Sequence, residues 1–335
     1  MFGALRLILS YLVVASHVEI PHAIDMGSSA VVVFFLLSGY VMTATIRRYY
    51  SALREYKLFL IERAARIFPQ YLFWVLACVG WIAVFDRGWL PVTPQIVAEN
   101  IALIPGMYGV FDLRPFLTGI RYVTQTWSLS LEWHFYMLLP FIVIIPHLRA
   151  IAFTVSIFIF TLATFGIISP YLFSFHLLPG VLFIFLIGSV IFDERARNAI
   201  VPRLWLPLSV LLILGIVSNT LRPLQYGYLA ELYIGIFIGL PVVWCLAHIE
   251  SNRIDMFLGN LSYGVFLCHN LVLEILSKVG GLHSVWWILF FACLISTVFS
   301  GISYMLVERP LVRWRHSMRK RAQKSELKAF SVNHP

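Results

Sequence analysis

Long apolar runs recur along the whole chain, and short stretches rich in Arg, Lys, Pro or Gly separate them. A helix needs roughly 20 mostly apolar residues to cross the hydrocarbon core of a membrane. Ten runs come near that length and predict ten transmembrane helices. Their approximate ranges are 4–22, 28–46, 67–85, 127–145, 150–168, 175–192, 204–220, 229–247, 257–277 and 285–306.

Composition supports the same fold class. Of the 335 residues, 60% are hydrophobic and 12% are charged, whereas soluble domains carry about 25% charged residues. We therefore expect an all-α, polytopic membrane protein. The 4 cysteines lie singly in apolar runs, so the spacing predicts neither a disulfide framework nor a metal site.

The basic residues predict an orientation. Lys and Arg accumulate in loops on the cytoplasmic side of a membrane, and an even number of spans puts most of the 25 basic residues on one side, together with both termini. The net charge of +9 does not indicate nucleic-acid binding, because these residues lie between apolar runs. We expect a membrane domain over 1–310 and a basic cytoplasmic tail over 311–335 that lies near anionic lipid.

Several ionisable residues fall inside predicted spans, where charged groups are costly and often mark a functional site. Arg6 and His17 are eleven residues apart, which brings them within about 20° of one helix face and separates them by ~16 Å along the axis. A snorkelling arginine and a histidine bonded to a neighbouring helix are the structural alternatives.

Two further ionisable residues have a predicted depth similar to that of His17. Glu132 lies in the outer part of the fourth span with Tyr136 one turn below it, and His269 reaches a comparable depth in the ninth span. We therefore expect Glu132, His17 and His269 to meet in one buried polar site. The alternative is a structural network of hydrogen bonds between helices.

Two other motifs are an arginine pair on the predicted cytoplasmic side and a run of small and bulky residues in the second span. Arg63 and Arg66 form an RxxR pair on one helix face. Paired guanidinium groups suit phosphate, but anchoring at the membrane surface is the ordinary explanation of the pair taken alone. Small Ser38 and Gly39 follow bulky residues in the second span, which favours close helix packing.

These residues, in this order, resemble the type-3 membrane acyltransferase family, bacterial inner-membrane enzymes that O-acetylate cell-surface and secreted glycans. The resemblance covers essentially the whole chain. Two positions depart from the family pattern: Val31–Val33 replace a common acidic residue, and Trp133 replaces a second glutamate. The matching segments are Arg6-x10-His17, FFLLSGY at 34–40, RAARIFPQY at 63–71, TWSLSLEWHFYMLLP at 126–140, LGNLSYGVFLCHN at 258–270 and SYMLVERP at 303–310.

The resemblance implies acetyl-CoA in the cytoplasm as the acyl donor and a glycan hydroxyl on the outer side as the acceptor, with the glycan either free or attached to a lipid carrier. It implies no metal, and no motif specifies the glycan or the oligomeric state. A proton-coupled transporter or flippase is the alternative, because ten spans with ionisable groups also suit transport.

For such a transfer we hypothesise roles for individual residues. Arg63, Arg66 and Arg6 hold the CoA phosphates, and His17 acts as a general base or carries the acyl group briefly. Glu132 orients the imidazole of His17. The candidates for binding the developing oxyanion or the acceptor are Tyr136, Ser262, Tyr263 and His269.

Overall fold

The computed structural model describes residues 1–18, 26–85, 93–103, 118, 120–145, 147–195, 210, 213, 215, 217, 228–281, 283–312, 314–315 and 317–318. Within these residues the chain is helical and contains no β-strand. The helices are α1 (Gly3–Ser16), α2 (Gly27–Tyr49), α3 (Tyr56–Phe85), α4 (Pro94–Ala102), α5 (Thr126–Ile144), α6 (Leu148–Thr164), α7 (Leu178–Arg195), α8 (Tyr228–Ala247), α9 (Arg253–Val279) and α10 (Val285–Ser303).

Seven of the described helices are long and apolar enough to cross a membrane, and α1 and α6 are shorter apolar helices. The all-α, polytopic prediction is therefore confirmed. Nine of the ten predicted runs coincide with helices, while the run at 204–220 lies almost entirely outside the described residues. The count of ten and the cytoplasmic termini stay predictions, as does the tail over 311–335, which is described only in part.

Helices α2 and α7 form the centre of the bundle. They pack along each other, and α2 also contacts α1, α5 and α8. The contact depends on glycine, because a Cβ on Gly39 would collide with the carbonyl of Phe185 and a Cβ on Gly188 would collide with the carbonyl of Leu36. Small residues that let two backbones approach are a usual feature of membrane helix pairs, so the predicted packing role of Gly39 is confirmed.

Two helix boundaries differ from the predicted ones. Helix α1 ends at Ser16, well before the predicted 22, and the Nδ1 of His17 lies 2.8 Å from the carbonyl of Val13, so the side chain satisfies a terminal carbonyl. Helix α3 begins at Tyr56 instead of about 67. Its first turns hold Glu62 and Arg63, which pair with each other and are buried.

The chain beyond α10 continues as a π-helical turn over Tyr304–Glu308. A π turn adds a residue to a helical turn and often occurs at functional sites. The residues after it, including Trp314 and Arg315, are again helical. Glu308 at the end of the turn is 3% exposed, so the turn brings a carboxylate into the bundle.

A short helix, α4, follows α3 in the chain. Thr93 caps α4 by accepting a hydrogen bond from the backbone N–H of Ile96. The carboxylate of Glu99 accepts hydrogen bonds from Thr118 and from the guanidinium of Arg121. Burial raises the pKa of Glu99, but these hydrogen bonds outweigh it and place the pKa below its ordinary value. The carboxylate is therefore part of the structure of this segment.

Candidate active site

A cavity of about 280 Å³ lies between α1, α2, α3, α5 and α9. We call it the arginine cavity, because four arginines line one part of it. It also contains the carboxylate of Glu132 and an apolar wall from α2 and α9. The lining residues are Arg6, Val31, Phe34, Phe35, Ser38, Val41, Met42, Arg63, Arg66, Ile67, Ser128, Leu129, Glu132, Tyr136, Gly259, Asn260, Ser262, Tyr263, Phe266 and Arg315.

The RxxR pair of α3 is held in place by two buried carboxylates. Arg63 is 5% exposed and donates hydrogen bonds to Glu62, which is fully buried. Arg66 forms an ion pair with Glu308, and its guanidinium lies 5.3 Å from the ring centre of Tyr263. Surface anchoring does not explain these contacts, since both arginines line the cavity.

Arg315 completes the group of arginines, although its place in a basic tail predicts no chemical role. Its side chain is 14% exposed. Its Nε lies 3.7 Å from an oxygen of Glu62 and its Nη1 lies 3.6 Å from an oxygen of Glu308. The start of the basic tail therefore returns to the bundle and contacts the counter-ions of both α3 arginines.

Glu132 lines the same cavity and binds two hydroxyl groups. Ser38 of α2 and Tyr136 of α5 both donate hydrogen bonds to its Oε1. The one-turn spacing of Glu132 and Tyr136 predicts part of this arrangement. The sequence predicts only a packing role for Ser38. Its hydrogen bond to Glu132 was not predicted, and the structure explains it because Ser38 lies on α2 opposite that carboxylate.

A second cavity of about 230 Å³ lies towards the C-terminal end of α1. We call it the histidine cavity. It shares Val31, Ser128 and Phe266 with the arginine cavity, so the two cavities adjoin along the bundle. Its lining residues are Val13, Ser16, His17, Gly27, Ser28, Val31, Gln125, Trp127, Ser128, Phe175 and Phe266.

The geometry around His17 fixes which ring nitrogen can take up a proton. Its Nδ1 lies 2.8 Å from the carbonyl of Val13, and a carbonyl only accepts, so in the neutral ring Nδ1 carries the hydrogen and Nε2 has the lone pair. The ring packs edge-on against His269 with centroids 5.0 Å apart. His269, which is fully buried, makes the same kind of bond to the carbonyl of Phe266.

The expectation that three ionisable groups meet was wrong for one of them. The structure brings His17 and His269 together, but Glu132 lies in the arginine cavity, and among the described residues no hydrogen bond joins it to His17. Counting residues along a span predicts the depth of each residue, but it does not predict which side of the helix faces a given neighbour. His17 is also not deeply buried, because α1 ends before it and its side chain is exposed.

Ser262 and Tyr263 line the arginine cavity, but their hydroxyl groups bind backbone carbonyls. Ser262 donates to Gly259 at 2.8 Å, and Tyr263 donates to Ile67 at 3.0 Å. An oxyanion role for either residue stays a prediction, and it requires the hydroxyl to exchange that bond for one to the substrate. In this structure the aromatic ring of Tyr263 packs against the guanidinium of Arg66.

Comparison with known proteins agrees with these observations. An uncharacterized protein of Aquifex aeolicus is 30% identical over 58% of this chain and 90% of its own length. The putative peptidoglycan O-acetyltransferase YrhL of Bacillus subtilis is 20% identical over 85% of this chain, which spans 50% of that protein. The exopolysaccharide production protein ExoZ of Rhizobium meliloti is 24% identical over 87% of this chain and 92% of its own length. No solved structure matches significantly.

A family match covers nearly the whole described bundle. The family model for an acyltransferase domain matches residues 2–305, a range that includes the predicted site residues on α1, α3, α5 and α9. It also contains the helices that are long and apolar enough to span a membrane. This multi-pass membrane chain therefore belongs to the type-3 acyltransferase family.

Proposed function

We propose that the protein is an integral-membrane O-acyltransferase of the bacterial inner membrane. It moves an acyl group, most simply acetyl, from cytoplasmic acyl-CoA to a hydroxyl of a cell-surface or secreted glycan. The observation that carries this proposal is the pair of adjoining cavities: one contains four arginines and the other contains His17. The names of two relatives, the putative peptidoglycan O-acetyltransferase YrhL and the exopolysaccharide production protein ExoZ, support a glycan as acceptor.

The arginine cavity has the chemistry that the donor requires. Guanidinium groups bind phosphate through paired hydrogen bonds, and Arg6, Arg63 and Arg66 line the same cavity. The CoA phosphates bind at these residues, and the pantetheine arm extends along the apolar wall formed by α2 and α9. The thioester then reaches the residues that the two cavities share, Val31 and Ser128 among them.

His17 performs the proton transfer in this proposal. Its Nε2 accepts the proton of the acceptor hydroxyl while the hydroxyl oxygen attacks the thioester carbonyl. The new C–O bond forms, the C–S bond breaks, and the leaving CoA thiolate takes up the proton from the imidazolium. An acyl-His intermediate, in which Nε2 attacks first, is the alternative course. Glu132 positions Ser38 and Tyr136 beside the donor.

The test uses membrane vesicles that contain the protein, with labelled acetyl-CoA and a cell-envelope glycan fraction as acceptor. His17→Ala and Glu132→Gln are each expected to lower transfer of label by at least 100-fold, at equal protein level. His248→Ala is the matched control, because the Nδ1 of His248 also bonds the carbonyl four residues earlier and His248 lines neither cavity. This control is expected to transfer label normally.

Three results would contradict the proposal. Full label transfer by His17→Ala would show that the imidazole of His17 does not take part in acyl transfer. Glycan export that continues without acetyl-CoA, with no label in the product, would favour the transporter instead. Acyl-CoA as donor would be excluded if the wild-type protein consumed no acetyl-CoA while another acyl donor supported transfer.

A further inference from the structure

We infer that Arg315, from the segment after the last helix, is a fourth phosphate-binding residue of the arginine cavity. The inference rests on the proposed function for the identity of the ligand, CoA. It assigns a binding role to a segment whose composition indicates only a solvated, lipid-facing tail. The basic tail then contributes directly to the donor site.

The first support is the position of the side chain. Arg315 lines the same cavity as Arg6, Arg63 and Arg66, and its side chain is only 14% exposed. A lysine or arginine that only contacts lipid headgroups extends into solvent instead. By contrast, Arg309, which precedes Arg315 on the same segment, is exposed and does not line the cavity.

The second support is the charge of the cluster. The described lining residues of the cavity include four arginines and one acid, Glu132. Glu62 and Glu308, which pair with Arg63, Arg66 and Arg315, lie beside them. The formal charges of these seven groups leave an excess of one positive charge, and desolvated charges are costly unless they are paired. A phosphate group adds negative charge where the guanidinium groups outnumber the carboxylates.

The third support is how Arg315 is connected. Its guanidinium lies 3.6 to 3.7 Å from oxygens of Glu62 and Glu308, the carboxylates that hold Arg63 and Arg66. A phosphate bound to the α3 arginines is therefore adjacent to Arg315 as well. The competing explanation is a purely structural clamp that fixes the tail to the bundle, and this explanation predicts no dependence on phosphate.

Direct binding measurements with CoA and with pantetheine, which lacks the phosphates, separate these explanations. Arg315→Gln is expected to weaken CoA binding about tenfold or more, since a charge-assisted hydrogen bond is lost, while pantetheine binding changes less than about twofold. Arg315→Lys keeps the charge but loses the paired geometry, so we expect an intermediate affinity. Arg309→Gln is the matched control and should bind CoA as the wild type does.

A second measurement uses only the wild-type protein, so its result does not depend on whether a variant folds. Phenylglyoxal modifies accessible guanidinium groups, and mass spectrometry locates the modified residue. CoA should protect Arg315 from modification, pantetheine should not, and Arg309 should react equally with or without CoA. Equal modification of Arg315 with and without saturating CoA would overturn the inference.

The failures of the two proposals are distinguishable. If the wild-type protein does not bind CoA, acyl-CoA is not the donor and the proposed function fails. If the wild-type protein binds CoA and Arg315→Gln binds it within twofold of that affinity while remaining folded, the role of Arg315 is wrong and the proposed function stands. Equal losses for CoA and pantetheine would show a structural clamp.

Discussion

The carboxylate of Glu132 accepts two hydrogen bonds at one oxygen, and this arrangement predicts how single and double substitutions combine. Ser38→Ala and Tyr136→Phe each remove one donor to Oε1, and neither change introduces a larger side chain. If the group formed by Glu132, Ser38 and Tyr136 positions the acyl-CoA for transfer, each variant should transfer acetyl more slowly than the wild type does. Because both donors serve the same atom, their effects should be coupled.

The size of the effect follows from the type of bond. A hydrogen bond to a charged group contributes roughly 1.5–3 kcal/mol, and each 1.4 kcal/mol of activation free energy changes a rate about tenfold. Each single variant should therefore lower kcat/KM by about 10-fold to 150-fold. The remaining hydroxyl still supports Oε1 in either single variant. The double variant loses both donors, and its activation penalty should exceed the sum of the two single penalties.

The assay is a double-mutant cycle on acetyl transfer in membrane vesicles, with kcat/KM measured for wild type, both single variants and the double variant. Thermal stability of each purified protein is measured in parallel, because a loss of folded protein also lowers the rate. The reasoning is refuted if all three variants remain folded and stay within twofold of the wild-type kcat/KM. Strictly additive penalties would show that the two hydroxyls act at independent places.

Three other predictions concern different parts of the molecule. Changing Arg63 and Arg66 together to Gln should raise the KM for acetyl-CoA more than that for the glycan, and an unchanged KM would remove both from the donor site. Gly39→Ala should lower the melting temperature, with a cost of roughly 1–3 kcal/mol from overpacking against the α7 backbone, whereas Gly80→Ala, which meets nothing within 4 Å, should not. Glu99→Gln should be less stable than wild type at neutral pH. That difference should disappear as pH falls below the ordinary value of 4.5 and through the lowered pKa of Glu99, as acid titrations of the melting temperature will check.

The positions of the membrane helices were predictable because hydropathy depends on composition alone. Helix α5 extends over Thr126–Ile144, and the predicted run covers 127–145. The early start of α3 was not predictable from hydropathy, since its first turns contain Glu62, Arg63 and Arg66. These charges enter the bundle because partners neutralise them, and one of those partners, Glu308, is distant in the sequence.

The sequence predicted how deep in the membrane the candidate site residues lie, but not which neighbouring helix each side chain faces. Counting residues from the helix ends placed His17 and His269 at one level, and their rings are in contact. The same counting placed Glu132 with them, but its carboxylate faces Ser38 and the arginine cavity. Which neighbour a residue faces depends on how helices pack against each other. That packing depends on contacts such as those of Gly39, which a single sequence does not specify.

The π-helical turn over Tyr304–Glu308 sets the phase of everything that follows it. Winding the same residues as an ordinary α-helix, with no wide turn to absorb the extra residue, would rotate the downstream segment by roughly 100° relative to α10. Arg315 would then point to a different side of the bundle, although its identity and its position in the sequence were unchanged. A change of winding in one turn, far from the imidazole, is thus equivalent, for this part of the molecule, to losing a cationic side chain.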